Sequence, residues 1–588
     1  VKIHYNNIST PLAKLNISII KQKLSFMKTR ILLIFSFLLI RFVTTTAAPS
    51  PNDSYKWLYA KAFNGMNSTA MVVDKDNNTY FSGFSYSDVK YDNHITSIDY
   101  ATERSSVIVT KLNGADEYVW TKKINLLLAD ESSSVSVRSM DVDDDGNMYF
   151  GGDFRGCITV NSTVYNVGTS YGYFIFKTNS DGVIQWFRAG NKLRGSVNKI
   201  KYSIGRIAFS VGTQITGDSP DLFGEDILEK FESLSHFTSC DLVVGTLSVT
   251  DGHLISAQGV RTGQSYLTQL SYQSIIVQRN TLDADSQGNI YVTGGFDGNE
   301  LLAGGAAYSL PLNTEAAASQ FLLKIDVFGG VSWVKIFTNS TGTYPTLAIN
   351  ANTRIAVLIN GGAAPLYVAD QQLVVNGDIS QYNHIALFNS SGELLNKITV
   401  NSSTSQIAPA QNGSFCVAGN LKQSGQSFGM DWLDNGTSTQ DNLFVGFYDS
   451  NLNSIAGQSV LSAGRYLPTA LKTGTDGKVR LLGIVSNDSE SGTPIYPFGA
   501  YECAYPGGNN PLIYAVLSPK QMVKAQIFSH GIDCGRFALN VNPNIKSKVE
   551  WYVNGVLKGT DFSLMGEDQM GGYRFLRGVN YVSAVITD

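Results

Sequence analysis

Ser139 to Phe154 reads SMDVDDDGNMYFGGDF. Two strand-like runs flank a tight Asp-Gly-Asn turn. These turn residues supply local side-chain hydrogen bonds and tolerate a left-handed backbone position. The same pattern returns as TLDADSQGNIYVTGGF at Thr281 to Phe296, and more loosely as AMVVDKDNNTYFSGF at Ala70 to Phe84.

A second signature follows each copy. Lys111 and Trp120, Lys177 and Trp186, and Lys324 and Trp333 keep one spacing. The segments between read as strand, turn, strand: FIFKTNSDGVIQW in one unit and FLLKIDVFGGVSW in another. One unit is therefore four strands. The glycine closing its second strand marks the units at Gly83, Gly152, Gly212, Gly294, Gly361, Gly419 and Gly483. These lie about 60 to 80 residues apart. The units around Gly212, Gly419 and Gly483 keep the outline without the Asp, and the Gly361 unit has its glycine displaced. A lone four-stranded unit cannot bury both faces, so its neighbours must stack on it. The pattern predicts an all-β chain built on a seven-bladed β-propeller.

The ring closure is also legible. Lys56 to Phe63, KWLYAKAF, resembles the fourth strand of a unit, with no first three strands before it. The seventh unit has a third strand at Pro511 to Leu517, PLIYAVL, and no Trp strand after it. The early strand is predicted to complete the last blade, with Trp57 antiparallel to Ile513 to Leu517. One insertion, Leu222 to Phe237, has helical spacing of its apolar residues.

The ends read differently. Met27 opens a basic tip (Lys28, Arg30), an apolar run from Ile31 to Ile40, and small residues suited to cleavage near Ala47 or Ala48. That is the order of a secretory signal over 27–48, and the run is too short to span a bilayer. Residues 1–26 then read as upstream read-through and stand outside the fold. The propeller is expected over 55–518. After Pro519, VEWYVNG (Val549 to Gly555), GTDFSL and YVSAVITD read as strands of a small β-sandwich over 520–588, with Trp551 in its core. The sandwich ends on a strand-like pattern at Asp588, as a truncated module would.

The composition is that of a globular chain, 43% hydrophobic and only 16% charged, with net charge −4. Nothing basic clusters, which argues against nucleic acid as a partner. The five cysteines, Cys157, Cys240, Cys416, Cys503 and Cys534, form no CxxC pair, which disfavours zinc. In an oxidising compartment a Cys503–Cys534 bridge is one pairing open to the chain.

VDDDGNMYFGGDF, DADSQGNIYVTGGF and the FxxK…DGxxxW segments resemble the SBBP-type β-propeller repeats of secreted, often bacterial, surface proteins. The resemblance covers 57–518 at the repeat level. KVEWYVNGVLKGTDF…GVNYVSAVITD looks like a PKD or related immunoglobulin-like module. The resemblance implies fold and surface location. It implies no catalytic residues, since propellers host binders and enzymes alike.

Several motifs carry candidate chemistry. Asp141, Asp143 and Asp145 spell DxDxDG, the opening of a calcium loop, although the position where such a loop places Glu holds Gly152. A turn reading competes directly, because the flanks are strands. Gly425 to Gly429, GQSFG, matches the nucleophile-elbow string without the helix that motif needs. The histidines form no HxH or HExxH pattern. Tyr86, Tyr91, Tyr308 and Trp432 sit in long joining segments. They are candidates for a recognition face, with loop packing as the competing role. Asn52, Asn67, Asn77, Asn161, Asn339, Asn389, Asn401, Asn412, Asn435 and Asn487 are sequons, acceptors for glycans in a eukaryotic secretory route.

The expectation is a secreted or cell-surface, non-enzymatic glycoprotein for adhesion, extracellular matrix or filament assembly. It needs no cofactor beyond calcium at the DxDxDG turn. Its partners would be other extracellular proteins, its own copies or glycans. The alternative is a glycan-binding module or glycan-active enzyme that uses the central face of the propeller. Carboxylates from different blades meeting in one pocket would favour the enzyme.

Overall fold

The computed structural model describes most of residues 55–519 and the strands between 528 and 587. Residues 1–54, 520–527 and parts of the connecting segments lie outside the description, the longest within 55–519 being 227–241 and 263–274.

Residues 54–519 form one compact unit, a seven-bladed propeller. Blade 1 orders its strands Asn67–Val73, Thr79–Ser85, Ser106–Leu112 and Tyr118–Ile124 from the axis outward. Blades 2 to 6 repeat this antiparallel meander. Blade 7 takes Arg465–Thr473, Val479–Ser486 and Leu512–Pro519 from the end of the unit and its outer strand, Tyr55–Asn64, from the beginning. Trp57 pairs antiparallel with Leu517, as predicted. A ring closed by one blade's own meander could open at that seam. Here the seam is a strand ladder that joins both ends of the unit.

The apolar core lies between blades. Seven clusters of buried side chains occur among the described residues, one at each blade interface. Between blades 1 and 2, for example, Val107 and Val109 meet Phe150, Phe174 and Phe176. A buried side chain of this size contributes about 1.5 to 3 kcal/mol. Most stabilisation is therefore between repeats, which is why no blade stands alone.

The marker glycines have a geometric cause. In blades 1, 2, 6 and 7 the inner strand carries a β-bulge, and the marker glycine lies opposite it; in blade 3 the bulge lies one position further along, between the partners of Val211 and Ser210. A Cβ on Gly152 would stand 1.9 Å from the Ser136 carbonyl oxygen, and one on Gly483 would stand 2.4 Å from the Tyr466 ring. The bulge brings the inner backbone too close for any side chain. Gly361 lies outside the described residues. A second bulge recurs on the outer strand of all seven blades, near the turn joining the third and fourth strands in blades 1 to 6 and between Trp57 and Tyr59 in blade 7.

The long second-to-third connections do not remain loops. Those of units 1, 4 and 5 fold into hairpins at Val89–Thr96, Glu300–Ser309 and Leu366–Leu373. Each adds to the outer strand of the preceding blade. The expected helix over 222–237 is corrected at its start. Asp221–Leu222 pairs with Glu225–Asp226 across a turn in which Phe223 and Gly224 both have positive φ. Leu222 and Phe223 are buried between blades 2 and 3, so apolar spacing here reflects hairpin anchoring. The remainder of that insertion lies outside the described residues.

Residues 520–588 belong to a separate unit. They form two three-stranded antiparallel sheets. Trp551 lies on the middle strand of the second sheet, opposite Ala584. Among the described residues no helix is long and apolar enough to cross a membrane.

Candidate functional site

The repeat motif is fully engaged in structure. Asp143 accepts hydrogen bonds from the backbone N–H of Asp145 and Asn147, from Asn147 Nδ2 and from the Tyr149 hydroxyl, at 2.9 to 3.0 Å. Asp285 holds Asn289 and Tyr291 in the same way, and Asp74 holds Asn78 and Tyr80. A carboxylate accepting several such bonds closes its turn without a metal. Asp145 is exposed, while Asp141 turns toward the next blade. The DxDxDG carboxylates are thus not gathered on one point, and among the described residues no group of three His, Cys, Asp or Glu is placed to hold a metal.

The tyrosine fixed by the turn forms the next link. Lys177 Nζ lies 5.4 Å from the Tyr149 ring centroid, and Lys324 lies 5.6 Å from that of Tyr291. These are cation–π distances. Lys177 and Trp186 both donate to the carbonyl of Val249, in the outer turn of blade 3. Lys324 and Trp333 both donate to the carbonyl of Ser390 in blade 5. The Lys–Trp spacing is therefore an inter-blade clamp. Other blades use a single cation for the same grip: Arg206 on Val327 and Arg354 on Ser450.

At the closing seam the clamp becomes a buried network. Arg480 Nε and the Tyr514 hydroxyl each donate to Asp116 Oδ1 at 2.9 Å, and Lys478 donates to Asp116 Oδ2 at 3.0 Å. Arg480 also reaches Asp476 and the Asn77 carbonyl. Arg480 and Asp116 have side chains wholly shielded from solvent.

The sequence-selected residues fall in different places. Tyr91 is a correction. It is buried, its ring 4.5 Å from that of Phe63, and it pins the unit 1 hairpin to blade 7. An aromatic hairpin residue next to an apolar strand edge gains more from burial than from display. Tyr308 is half-buried against the core between blades 3 and 4. Trp432 lies opposite Ser427 in a short hairpin. That hairpin also disposes of the GQSFG string, since Ser427 stands on a strand and not at a strand-to-helix elbow. Tyr86 lies outside the described residues.

Among the sequons, Asn161 and Asn412 are exposed with positive φ. Asn77 Oδ1 accepts from the Thr475 hydroxyl and the Asp476 N–H at the seam. Asn389 Oδ1 accepts from Ser391 and Glu393 N–H within its own turn. Asn67 begins the inner strand of blade 1. Asn52, Asn339, Asn401, Asn435 and Asn487 lie outside the described residues. Cys157 and Cys416 are free thiols, and burial pushes the Cys416 thiol up to about 12. The Cys503–Cys534 pairing lies outside what is described.

The sequence reading missed the site at the axis. A cavity of about 170 Å³ is lined by the inner strands of all seven blades. Its charged groups are Asp141 from blade 2, Lys199 and Lys201 from blade 3, Asp283 from blade 4 and Lys472 from blade 7. Asp141, Lys201, Asp283 and Lys472 each stand two positions before the first turn of their unit. The aligned positions in blades 1, 5 and 6 hold Val72, Ala348 and Ala408. The signal was this one column of the repeat, charged amid apolar residues.

Both carboxylates are engaged. Asp141 Oδ2 accepts from the Tyr202 N–H at 2.7 Å and pairs with Lys201 Nζ at 3.3 Å. Asp283 accepts from the N–H of Ala284 and, across the interface, of Ile349. The Asp141 carboxylate holds the Lys201 ammonium charged, well above the ordinary lysine range. Burial, and then the Lys472 ammonium, draws Lys199 down to about 7. Burial, and then Lys201, also lowers Lys472.

The fold and axis define a closed seven-bladed propeller with a charged central cavity. No protein-family profile matches the chain, and no curated protein is significantly similar to it. Among solved structures, one similar chain is a protein of unknown function from Bacteroides caccae, at 12% identity and TM-score 0.30, covering 60% of this chain and 89% of that one. Another is the polysaccharide lyase Uly1, at 9% and 0.37, covering 76% and 89%. A third is an acylaminoacyl peptidase from Pyrococcus horikoshii, at 12% and 0.32, covering 82% of this chain but 58% of that one. Likenesses this low carry no argument about activity.

Proposed function

We propose that this chain is a secreted or cell-surface, non-enzymatic scaffold serving adhesion, extracellular matrix or filament assembly. The observation that carries the proposal is where the repeat's chemistry goes. The Asp, Tyr, Lys and Trp of the units around Gly152 and Gly294 bond within their own blade or to the next. The motif is thereby committed to holding the ring. Two features of the rim support the reading. The outer-strand bulges turn Val119, Ile255, Leu395 and Ile455 outward, each 38% exposed or more. Apolar groups repeated around a rim suit contact with copies of the same chain or with another extracellular protein. Among the described residues the outer strands are only partly covered by hairpins, which suits strand addition at their edges.

SBBP-type repeats, a PKD- or immunoglobulin-like fold for 520–588 and export by the 27–48 signal belong to the same proposal. The two three-stranded sheets of the C-terminal unit are compatible with such a module. Electron microscopy of the native secreted protein, with mass spectrometry of its N-terminus, tests the reading. Polymers or sheets with a mature end near Ala48 are the expected result. Monodisperse rings would overturn it.

The axial cavity favours a second reading, glycan binding on the central face. Carboxylates of two blades do line it, as a glycoside hydrolase would need. Both are engaged by backbone N–H groups and one by a lysine, which favours binding over acid–base work.

A further inference from the structure

The first two strands of blade 3 are joined by a two-residue turn, Ile204 and Gly205. Both residues have positive φ, 42° and 71°, as a type I′ turn requires. Gly is at ease there. Ile is not, because a β-branched side chain clashes with the backbone in the left-handed region. Two other such turns, Asn161–Ser162 and Gly304–Gly305, open with the Asn or Gly that the geometry favours. Phe223–Gly224 does not, but the Phe223 ring is buried against Tyr173 and Phe209. Ile204 has no such return, since 52% of it is exposed. A strained residue that gains nothing from the fold points to a role outside it.

Ile204 stands in an apolar knuckle made by three turns of blades 3 and 4. A Cβ on Gly288 would lie 2.3 Å from Ile204 Cδ1 and 3.3 Å from Val327 Cγ2, so the two side chains flank that glycine. Arg206 donates to the Val327 carbonyl and ties the turns together. Phe328 is 89% exposed, at a place where blades 2, 5 and 6 carry Asp181, Ser391 and Asn451. Gly329 rests on Ser256, beside the exposed Ile255. The Asp326 carboxylate is spent on the N–H groups of Phe328 and Gly330.

The turns joining first to second and third to fourth strands all lie on this face of the ring. In blades 1 and 2 their exposed tips include Asp76, Asp144, Asp145 and Asp181. In blades 4 to 6 they include Gln287, Asn352, Ser391, Asn412 and Asn451, while the exposed Glu393 is bonded to Asn389 Nδ2. The face is therefore acidic on one side and neutral on the other, with the knuckle on the neutral side. The acidic turns disfavour an anionic membrane as the occupant. A second copy that overlaps the face over blades 3 to 6, about a two-fold axis, covers both knuckles and keeps the acidic turns out of the contact.

We infer that the Ile204–Phe328 knuckle is a self-association surface, through which two copies of this chain pair by their turn faces. This rests on the self-association within the scaffold reading, but it sets the contact on the turn face and not on the rim.

The test is sedimentation velocity of the full chain over a range of concentrations, at low and high NaCl. The wild type is expected to form a dimer that high salt does not weaken, because the contact is apolar. Phe328→Ser and Ile204→Asn should each weaken it about tenfold or more. The rim variant Val119→Ser should leave it unchanged. Ile204→Asn should also raise the Tm of the dilute monomer, because Asn is at ease at positive φ. A wild type that stays monomeric, or a dimer equally tight in Phe328→Ser, overturns the surface. Association lost in Val119→Ser and kept in Phe328→Ser overturns it too, while keeping the scaffold reading. A monomer that binds phosphatidylcholine vesicles through Phe328 overturns it in favour of lipid. A lower Tm in Ile204→Asn would show that Ile204 serves the fold and would overturn the inference.

Discussion

Arg480 and Asp116 meet at 2.9 Å inside the seam where blade 7 returns to blade 1, and neither side chain reaches solvent. They come from opposite ends of the propeller sequence. The seam thus has two locks, the strand ladder from Tyr55 and this ion pair. Tyr514 and Lys478 complete the coordination of the Asp116 carboxylate.

Removing one partner of a buried pair leaves the other charge uncompensated, which costs about 3 to 5 kcal/mol. Asp116→Asn is expected to lower stability by that order in urea unfolding. Asp181→Asn, at an exposed surface pair with Lys122, should change it by less than about 1 kcal/mol. Equal effects would show that the seam network is not a lock.

Lys324 and Trp333 share the Ser390 carbonyl as acceptor. Trp333→Phe keeps an aromatic ring and removes the donor, at an expected cost of about 0.5 to 1.5 kcal/mol for the hydrogen bond in addition to the lost indole area. Lys324→Met should cost a similar amount. A double-mutant cycle should show coupling, since the two side chains act on one atom. Strict additivity would contradict the shared clamp.

Gly152→Ala places a methyl group 1.9 Å from the Ser136 carbonyl oxygen. The bulge must move, so the loss should be large, with a Tm drop of many degrees. Gly168 has positive φ and open space around it. Gly168→Ala should cost only about 1 to 2 kcal/mol of backbone strain. Thermal melts of the two variants side by side decide the point.

Burial lowers the pKa of His384 to about 4, and its Nδ1 faces the Thr399 hydroxyl at 3.1 Å. The folded pKa lies below the unfolded one, so the unfolded chain binds the proton more readily. The contribution of His384 is complete above about pH 6.5 and is lost as pH falls toward 4, with a slope of at most about 1.4 kcal/mol per pH unit. His384→Gln should flatten stability-versus-pH curves in that window. An unchanged slope would refute the assignment.

Asp143 satisfies its turn with four hydrogen bonds from its own blade. EDTA and added calcium are each expected to leave Tm unchanged, while Asp143→Ala lowers the unfolding free energy by about 2 to 4 kcal/mol through the lost bonds. A calcium-dependent rise in Tm would restore the calcium-loop reading.

The sequence by itself determined the blade count, the four-strand unit and the closing strand. Those rest on local turn chemistry at Asp74, Asp143 and Asp285, on alternation along strands, and on one segment at Trp57 that reads as a fourth strand with no first three before it. The Lys–Trp spacing was visible too, but its meaning was not. Its partner is a backbone carbonyl of the next blade, such as Val249, and a carbonyl has no sequence signature. Tertiary structure alone decided that the long joining segments become hairpins on the preceding blade, which buried Tyr91. It alone also decided that Asp141, Lys199, Lys201, Asp283 and Lys472 share one cavity. Each sits on the inner strand of its own blade, and only closure of the ring around the axis brings residues so distant in the chain within reach of each other's charge.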